Sequence, residues 1–312
     1  MSDRQHLNRC KPYMTLDAGA NVYLIIPVHN RKATTLACLN HLQHQGDLQR
    51  YQTVVVDDGS TDGTQAAIQA LHPSVTVLTG DGNLWWTGAI ALGMNYAIEQ
   101  GADYLIWLND DCYPQPGAIA KLVTACRSQP NLIAGGQSLD PETGQPSYGG
   151  IICANYHVTH VHTANDSDLE CDGLAGNFVC IPKSVVDRIG YPDPRRCPHY
   201  YEDVVYTHQA KSQGYQLRIL HRAIAQCKDD HPPISWMMMQ KSPLAVWKER
   251  LQIKSPHYWK AHLAYYWEFM GFMGIWLYIY QLVLKFSIIS ILVILLPLQY
   301  RMKLKQLIAR KT

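Results

Sequence analysis

The 312-residue chain has no C-x-x-C pair among its nine cysteines and no H-E-x-x-H. It also lacks a G-x-x-x-x-G-K-[ST] and a G-x-G-x-x-G after its first apolar run. The first two absences leave a zinc site without support. An odd count of scattered cysteines predicts reduced thiols in a cytosolic domain, and the Cys171 and Cys180 pair is expected not to bridge. The last two remove the usual P-loop and dinucleotide devices, so a nucleotide would have to be held some other way. Charged residues are sparse at 17% against 47% apolar, which excludes a disordered chain. The net charge of +2 says little about partners, and nucleic acid is not among those expected. The first residues (MSDRQHLNRCKPYM) have no apolar h-region, so no secretory signal is expected. No acidic residue follows Glu268, whereas Lys285, Arg301, Lys303, Lys305, Arg310 and Lys311 do.

What is present alternates. Residues 1–18 read as a loose arm. Val22 to Val28 (VYLIIPV) is a near-continuous apolar run, as in a strand buried on both faces of a parallel sheet. A helix is predicted from about Arg31 to Gln45, a strand at Thr53–Val56, a helix near Gln65–Leu71 and a strand at Val75–Leu78. A helix from Trp86 to Gln100 and a strand from Tyr104 to Leu108 follow. Strands alternating with helices predict an α/β domain with a mostly parallel, Rossmann-like sheet, flanking helices and right-handed crossovers. The expected organisation is an arm at 1–18, an α/β domain at 19–240 and a C-terminal helical segment at 241–312. The stretches Gly135–Ile151 and His157–Asp172 read as irregular and polar.

Polar clusters end three of the strands: His29-Asn30-Arg31, Asp57-Asp58 and Asn109-Asp110-Asp111. In such sheets ligands bind outside the carboxyl ends of the strands, so the clusters should converge. Adjacent carboxylates at the end of a buried strand repel and lose hydration, and oxygen donors select Mg²⁺ or Mn²⁺. The simpler alternative is a helix N-cap for Asn109-Asp110-Asp111, and an Asx turn for Asp57-Asp58. Glu202-Asp203 opens a predicted helix running to Gly214, where carboxylates also simply favour the positive end of the dipole.

The ordered set LIIPVHNR (24–31), VVVDDGSTDGT (54–64), Asn109-Asp110-Asp111 and YYEDV (200–204) resembles family 2 glycosyltransferases of the GT-A fold, over roughly residues 20 to 235. The segment GNLWWTG (82–88) is similar to a version in rhamnosyltransferase-like members. The resemblance implies transfer of a hexosyl or deoxyhexosyl unit from a nucleotide-diphosphate sugar to a glycan or lipid-linked acceptor. It assigns Pro27, His29, Arg31 and Asp58 to the nucleoside, with Asp110 and Asn177 also on the donor. It gives Asp111 to a divalent metal (Mg²⁺ or Mn²⁺), with His231 as a second ligand. It makes Asp203 the catalytic base beside Glu202, which implies one displacement with inversion. Asn109 stands where the family often has aspartate. Trp85 and Trp86 are candidates for a sugar or acceptor platform, or for core.

From Ala261 to Leu298 the chain is aromatic and apolar, and Ile275–Leu298 is long enough to span a bilayer. Nucleotide sugars are cytosolic and the basic tail favours the cytosolic leaflet. One span cannot leave both on the same side, so an interfacial helix or re-entrant hairpin is expected at the cytoplasmic face of a membrane. A soluble helical subdomain or a dimer interface in a homo-oligomer is the alternative. Two other functional classes remain open at this point. One is a non-catalytic nucleotide-sugar-binding scaffold, to which Asn109 gives some footing. The other is a nucleotidyltransferase, which the loop after the first strand fits poorly.

Overall fold

The structure is a computed structural model that describes residues 19–163, 167–229 and 239–301. His231, the arm at 1–18 and the basic residues beyond Arg301 lie outside the described residues.

The first half alternates as the apolar runs dictate. Strand β1 (Val22–Val28) leads to α1 (Lys32–Gln45) and the single turn α2 (Asp47–Arg50). Then come β2 (Gln52–Asp57), α3 (Thr64–Leu71), β3 (Thr76–Thr79), α4 (Trp85–Glu99) and β4 (Tyr104–Leu108). The pairs β3-β2, β2-β1 and β1-β4 are all parallel. Leu24, Ile25 and Ile26 of β1 are fully buried, because helices cover both faces. Leu39 and Leu42 of α1 pack on one face, and Ile90 and Met94 of α4 on the other.

The second half is mixed. It holds β5 (Cys112–Pro114), α5 (Ala118–Ser128), β6 (Leu132–Leu139), β7 (Gly150–Ala154) and β8 (His157–Val161). It continues through β9 (Leu169–Glu170), β10 (Gly173–Leu174), β11 (Phe178–Pro182), α6 (Lys183–Ile189), α7 (Glu202–Ser212) and β12 (Gln216–Cys227). The main sheet runs β3-β2-β1-β4-β11-β6-β12-β5, with β11 antiparallel to both β4 and β6. A small sheet, β10-β7-β8, lies beside it.

The reading of 135–151 and 157–172 as irregular is corrected here. Strand β6 lies inside the main sheet, parallel to β12. Its glycines lowered the apparent strand signal, yet they are what the packing needs: a Cβ at Gly136 would run into the Phe178 ring. All described cysteines are free thiols, Cys171 and Cys180 included.

The C-terminal part contains α8 (Pro243–Lys248), capped by the Ser242 hydroxyl, and α9 (Trp259–Leu295). Helix α9 is not straight. At Gly271, φ 56° and ψ −137° break it into arms 259–270 and 272–295. The arms fold back on each other, with the Tyr278 ring 5.6 Å from His262 and 5.9 Å from Tyr266. In a straight helix sixteen residues would separate His262 and Tyr278 by about 24 Å. The first arm packs on α7, where Glu268 meets His208 and Gln209 at 3.1 Å each. The second arm buries Phe286, Ile289 and Val293 against Val246 of α8. It leaves Phe272, Trp276, Tyr280, Ile288, Ile291 and Ile294 exposed. By length and composition α9 could cross a membrane. Its second arm alone measures about 36 Å at 1.5 Å per residue.

Candidate active site

A cleft of about 420 Å³ opens at the carboxyl ends of β1, β2 and β4. Pro27, His29, Arg31, Asp58, Trp85, Trp86, Asn109, Asp110 and Asp111 all line it, as do His199 and Lys254. The three strand-end clusters therefore do meet. A depression around Gly19, Arg127 and Lys183 lies at the opposite ends of the strands and holds none of these groups.

The loops are laced together by their own polar atoms. His29 Nδ1 contacts the Asp58 carbonyl at 2.5 Å, and its Nε2 contacts the Asn30 amide nitrogen at 2.9 Å. A carbonyl can only accept, so the proton sits on Nδ1. Asn30 (φ 51°) accepts from the Thr61 amide and donates its own to the Ser60 hydroxyl. Asp57 accepts from the Ser60 amide three residues on, and Asp62 accepts from the Lys32 amide and, in an Asx turn, from the Thr64 amide. Asp58 is buried, and both its carboxylate oxygens are engaged: Oδ1 by the Gly82 amide at 2.8 Å and Oδ2 by the Trp85 amide at 2.9 Å. It thus holds the turn that presents Trp85, itself at φ 56°.

At the end of β4 the two carboxylates share one cation. Arg31 Nη2 is 2.6 Å from Asp111 Oδ2, and Arg31 Nε is 3.1 Å from Asp110. Asp110 is almost wholly buried and also accepts from the Thr35 hydroxyl at 2.9 Å. Burial pushes its pKa up to about 6; Arg31 opposes the shift and Asp111 adds to it. One guanidinium therefore under-compensates the pair, a need that a hard divalent cation fits. Among the described residues no cluster of three His, Cys, Asp or Glu side chains preforms a metal site. A cation here would rest mainly on the carboxylate of Asp111, which faces the cleft, and on ligand oxygens. Asn109 is engaged elsewhere, its Oδ1 accepting from the Trp86 indole at 2.9 Å. Trp86 is both core and lining, since its other contact is an edge-on packing with buried Trp107 at 5.6 Å.

The Glu202-Asp203 pair divides. Glu202 is fully buried, 2.9 Å from Arg196 and from the Asp193 amide, and does not line the cleft. Burial raises its pKa against the pull of Arg196. Asp203 is half-buried, and burial raises its pKa too, partly offset by amide donors. Its Oδ2 accepts from the Gly176 amide at 2.8 Å. Gly176 lies between Asp203 and the cleft-lining Trp86: a Cβ there would come 2.6 Å from the Trp86 ring and 2.9 Å from the Asp203 Cβ. Asn177 is joined to the same wall, its carbonyl accepting from the Asn109 amide.

Tyr201, the residue before the pair, carries φ 75°. Its ring stacks on His262 at 5.7 Å, and its hydroxyl donates to the Pro256 carbonyl at 2.9 Å. The hairpin thus abuts the turn that carries Asp203. His199 and Lys254 are not foreseeable from the motifs alone. His199 sits beside the YYED stretch, which was a usable signal. Lys254 lies alone in a segment whose only visible character is helical. Burial, then Lys254, holds the His199 pKa down to about 4.

Comparison with known proteins gives one family description, glycosyl transferase family 2, whose model matches residues 23–189. A galactofuranosyltransferase, GlfT1 of Mycobacterium tuberculosis, is 30% identical over 113 residues, 36% of this chain and 37% of the relative. The chain thus spans little more than a third of that relative's length. Glycosyltransferase AglE of Haloferax volcanii is 26% identical over 239 residues, 74% of this chain and 73% of AglE. A UDP-N-acetylglucosamine–dolichyl-phosphate N-acetylglucosaminyltransferase of Methanococcus voltae is 29% identical over 118 residues, 33% of this chain and 45% of the relative. Among solved structures, GalNAc-T7 with UDP, GalNAc and Mn²⁺ shares the fold at TM-score 0.55 and 14% identity, over 68% of this chain and 44% of that one. The mannosyltransferase PcManGT of Pyrobaculum calidifontis, with GDP-Man and Mn²⁺, gives 0.50 and 14% over 93% and 90%.

Proposed function

The chain belongs to glycosyl transferase family 2, with a GT-A architecture, and from that premise we propose that it moves a hexosyl or deoxyhexosyl unit from a nucleotide-diphosphate sugar to a hydroxyl of a lipid-linked or polysaccharide acceptor, with inversion. The observation that carries this reading is the half-buried Asp203 carboxylate, which Gly176 joins to Trp86 in the wall of the cleft that Asp110 and Asp111 also line.

In this reading His29, Pro27 and Arg31 receive the nucleoside, and Asp58 acts through the turn it holds. An acceptor hydroxyl attacks the anomeric carbon as the bond from that carbon to the diphosphate breaks. The hydroxyl proton passes to Asp203 and the diphosphate leaves with the bonding electron pair. A carboxylate raised by burial is a better proton acceptor than an ordinary one, which suits a general base. Glu202 is proposed to position the helix start through Arg196 rather than to touch substrate. Asp111, with Asp110 behind it, would hold a divalent Mg²⁺ or Mn²⁺ whose charge, when bound, neutralises the leaving diphosphate. The two solved structures named above carry Mn²⁺, which supports a divalent ion.

The exposed apolar arm of the hairpin and the dolichyl-phosphate named for one relative support action at a membrane, and a cytosolic nucleotide-sugar donor would put that action on its cytoplasmic face. The test is a thermal-shift screen of nucleotide sugars with Mn²⁺, followed by transfer to a membrane lipid extract with the donor that stabilises most. Transfer of that donor's sugar is expected. Stabilisation by a donor with no transfer to lipid or glycan extracts would instead favour a binding protein.

A further inference from the structure

The ionised side chains of the cleft are three carboxylates with Arg31 and Lys254, so even with a divalent ion the protein itself offers a diphosphate little positive charge. Arg31 is committed to Asp110 and Asp111. Asp58 is spent on two backbone amides. His199, also in the wall, is neutral near pH 7 because burial holds its pKa near 4. That leaves Lys254. Its Nζ lies 5.6 Å from the centroid of the Trp85 ring, and among the described residues no carboxylate partners it. An exposed ammonium resting on an indole is held only weakly, so it transfers readily to an anion.

The backbone that follows Lys254 is better held than the tip of its side chain. Ser255 is buried, and its carbonyl and hydroxyl receive the Tyr258 and His257 amides. The Pro256 carbonyl accepts from Tyr201 at 2.9 Å, two residues before Asp203. An exposed ammonium on an anchored backbone, aimed into a cleft that lacks uncommitted positive charge, is what an incoming phosphate would meet.

We propose that Lys254 is a donor-binding residue that engages the diphosphate of the nucleotide sugar, so the C-terminal segment completes the donor site as well as contacting the membrane. This rests on the donor reading above. It also means that a boundary near residue 240 does not separate catalysis from attachment, and that Tyr201 positions the cation and the base together.

The test uses the full chain in detergent with Mn²⁺ and follows tryptophan fluorescence and calorimetry with UDP, GDP and dTDP, each beside its nucleoside. Lys254→Gln is expected to weaken the preferred nucleoside diphosphate by about tenfold or more, the scale of a lost charge-assisted hydrogen bond. The affinity for the nucleoside should not change, and Lys254→Arg should restore most of the loss. The melting temperature, expected to be unchanged because the side chain is exposed, is the folding control. Unchanged diphosphate affinity in Lys254→Gln, equal loss for nucleoside and diphosphate, or no recovery in Lys254→Arg would each overturn the assignment. A wild-type chain that binds none of the three diphosphates would instead contradict the donor reading itself.

Discussion

The Gly176 amide donates a 2.8 Å hydrogen bond to Asp203 Oδ2. That bond joins the proposed base to the donor cleft through a residue with no side chain, wedged against Trp86. Gly176→Ala would put a methyl group 2.6 Å from the indole and 2.9 Å from the Asp203 Cβ. Neither neighbour can retreat freely, so the carboxylate should shift. Turnover should fall about 100-fold, the usual cost of a 1 Å misplacement, with donor affinity much less affected. Single-turnover kinetics beside a binding titration would separate the two.

Arg31 stands where a cation would compete for Asp111. Removing it as Arg31→Gln leaves Asp110 and Asp111 facing each other with only Thr35 and water. The variant should melt lower than wild type, and Mn²⁺ should restore more of its stability than it adds to wild type. A melting shift with Mn²⁺ that is the same in both proteins would separate the carboxylates from any metal.

The architecture was legible where hydrophobic pattern and turn chemistry agree. Val22–Val28 and Tyr104–Leu108 are strands as read, and the clusters at their ends share one cleft. Four features were hidden, each for a physical reason. Strand β6 was masked by Gly135 and Gly136, whose lack of side chain serves packing rather than propensity. The backbones of Asn30, Trp85 and Tyr201 have positive φ, a strained state costing on the order of 1–3 kcal/mol that composition does not announce. Glu202 and Asp203 look equivalent as neighbours, but one helical step of about 100° turns Glu202 toward Arg196 and Asp203 toward Gly176. Lys254 reaches the cleft only through tertiary folding, which no local pattern encodes.

Tyr201 links the hairpin to the base. Tyr201→Phe keeps the ring stacked on His262 and loses the bond to Pro256. It should destabilise the chain by about 1 kcal/mol in a denaturant melt. Donor affinity should fall as well, because the segment bearing Lys254 loses an anchor.

His199 gives a pH signature. Its folded pKa of about 4 lies below the ordinary value of 6.5. The unfolded chain therefore binds the proton more readily between those values. Stability attributable to His199 is whole above pH 6.5 and declines as pH falls toward 4, by up to roughly 3 kcal/mol. His199→Gln should flatten the wild-type stability curve in that window. Curves that stay parallel from pH 7 to 4 would show that His199 contributes nothing to it.

The second arm of the hairpin should hold the chain in the membrane through a carbonate wash. Ile288→Asp with Ile291→Asp places charge on the exposed side of that arm. Each charge costs about 2.5–3.5 kcal/mol at the centre of a span, so the double variant should move to the supernatant. A wild-type chain released by carbonate would argue for a soluble subdomain.

The role of Asp203 as the base is tested most directly by the turnover of the stabilising nucleotide sugar in Asp203→Asn, with donor affinity measured on the same preparation. Donor binding should stay close to wild type while turnover falls by about 10²–10⁴-fold, the range for a lost general base. Turnover equal to that of the wild type, at equal donor affinity, would contradict that role.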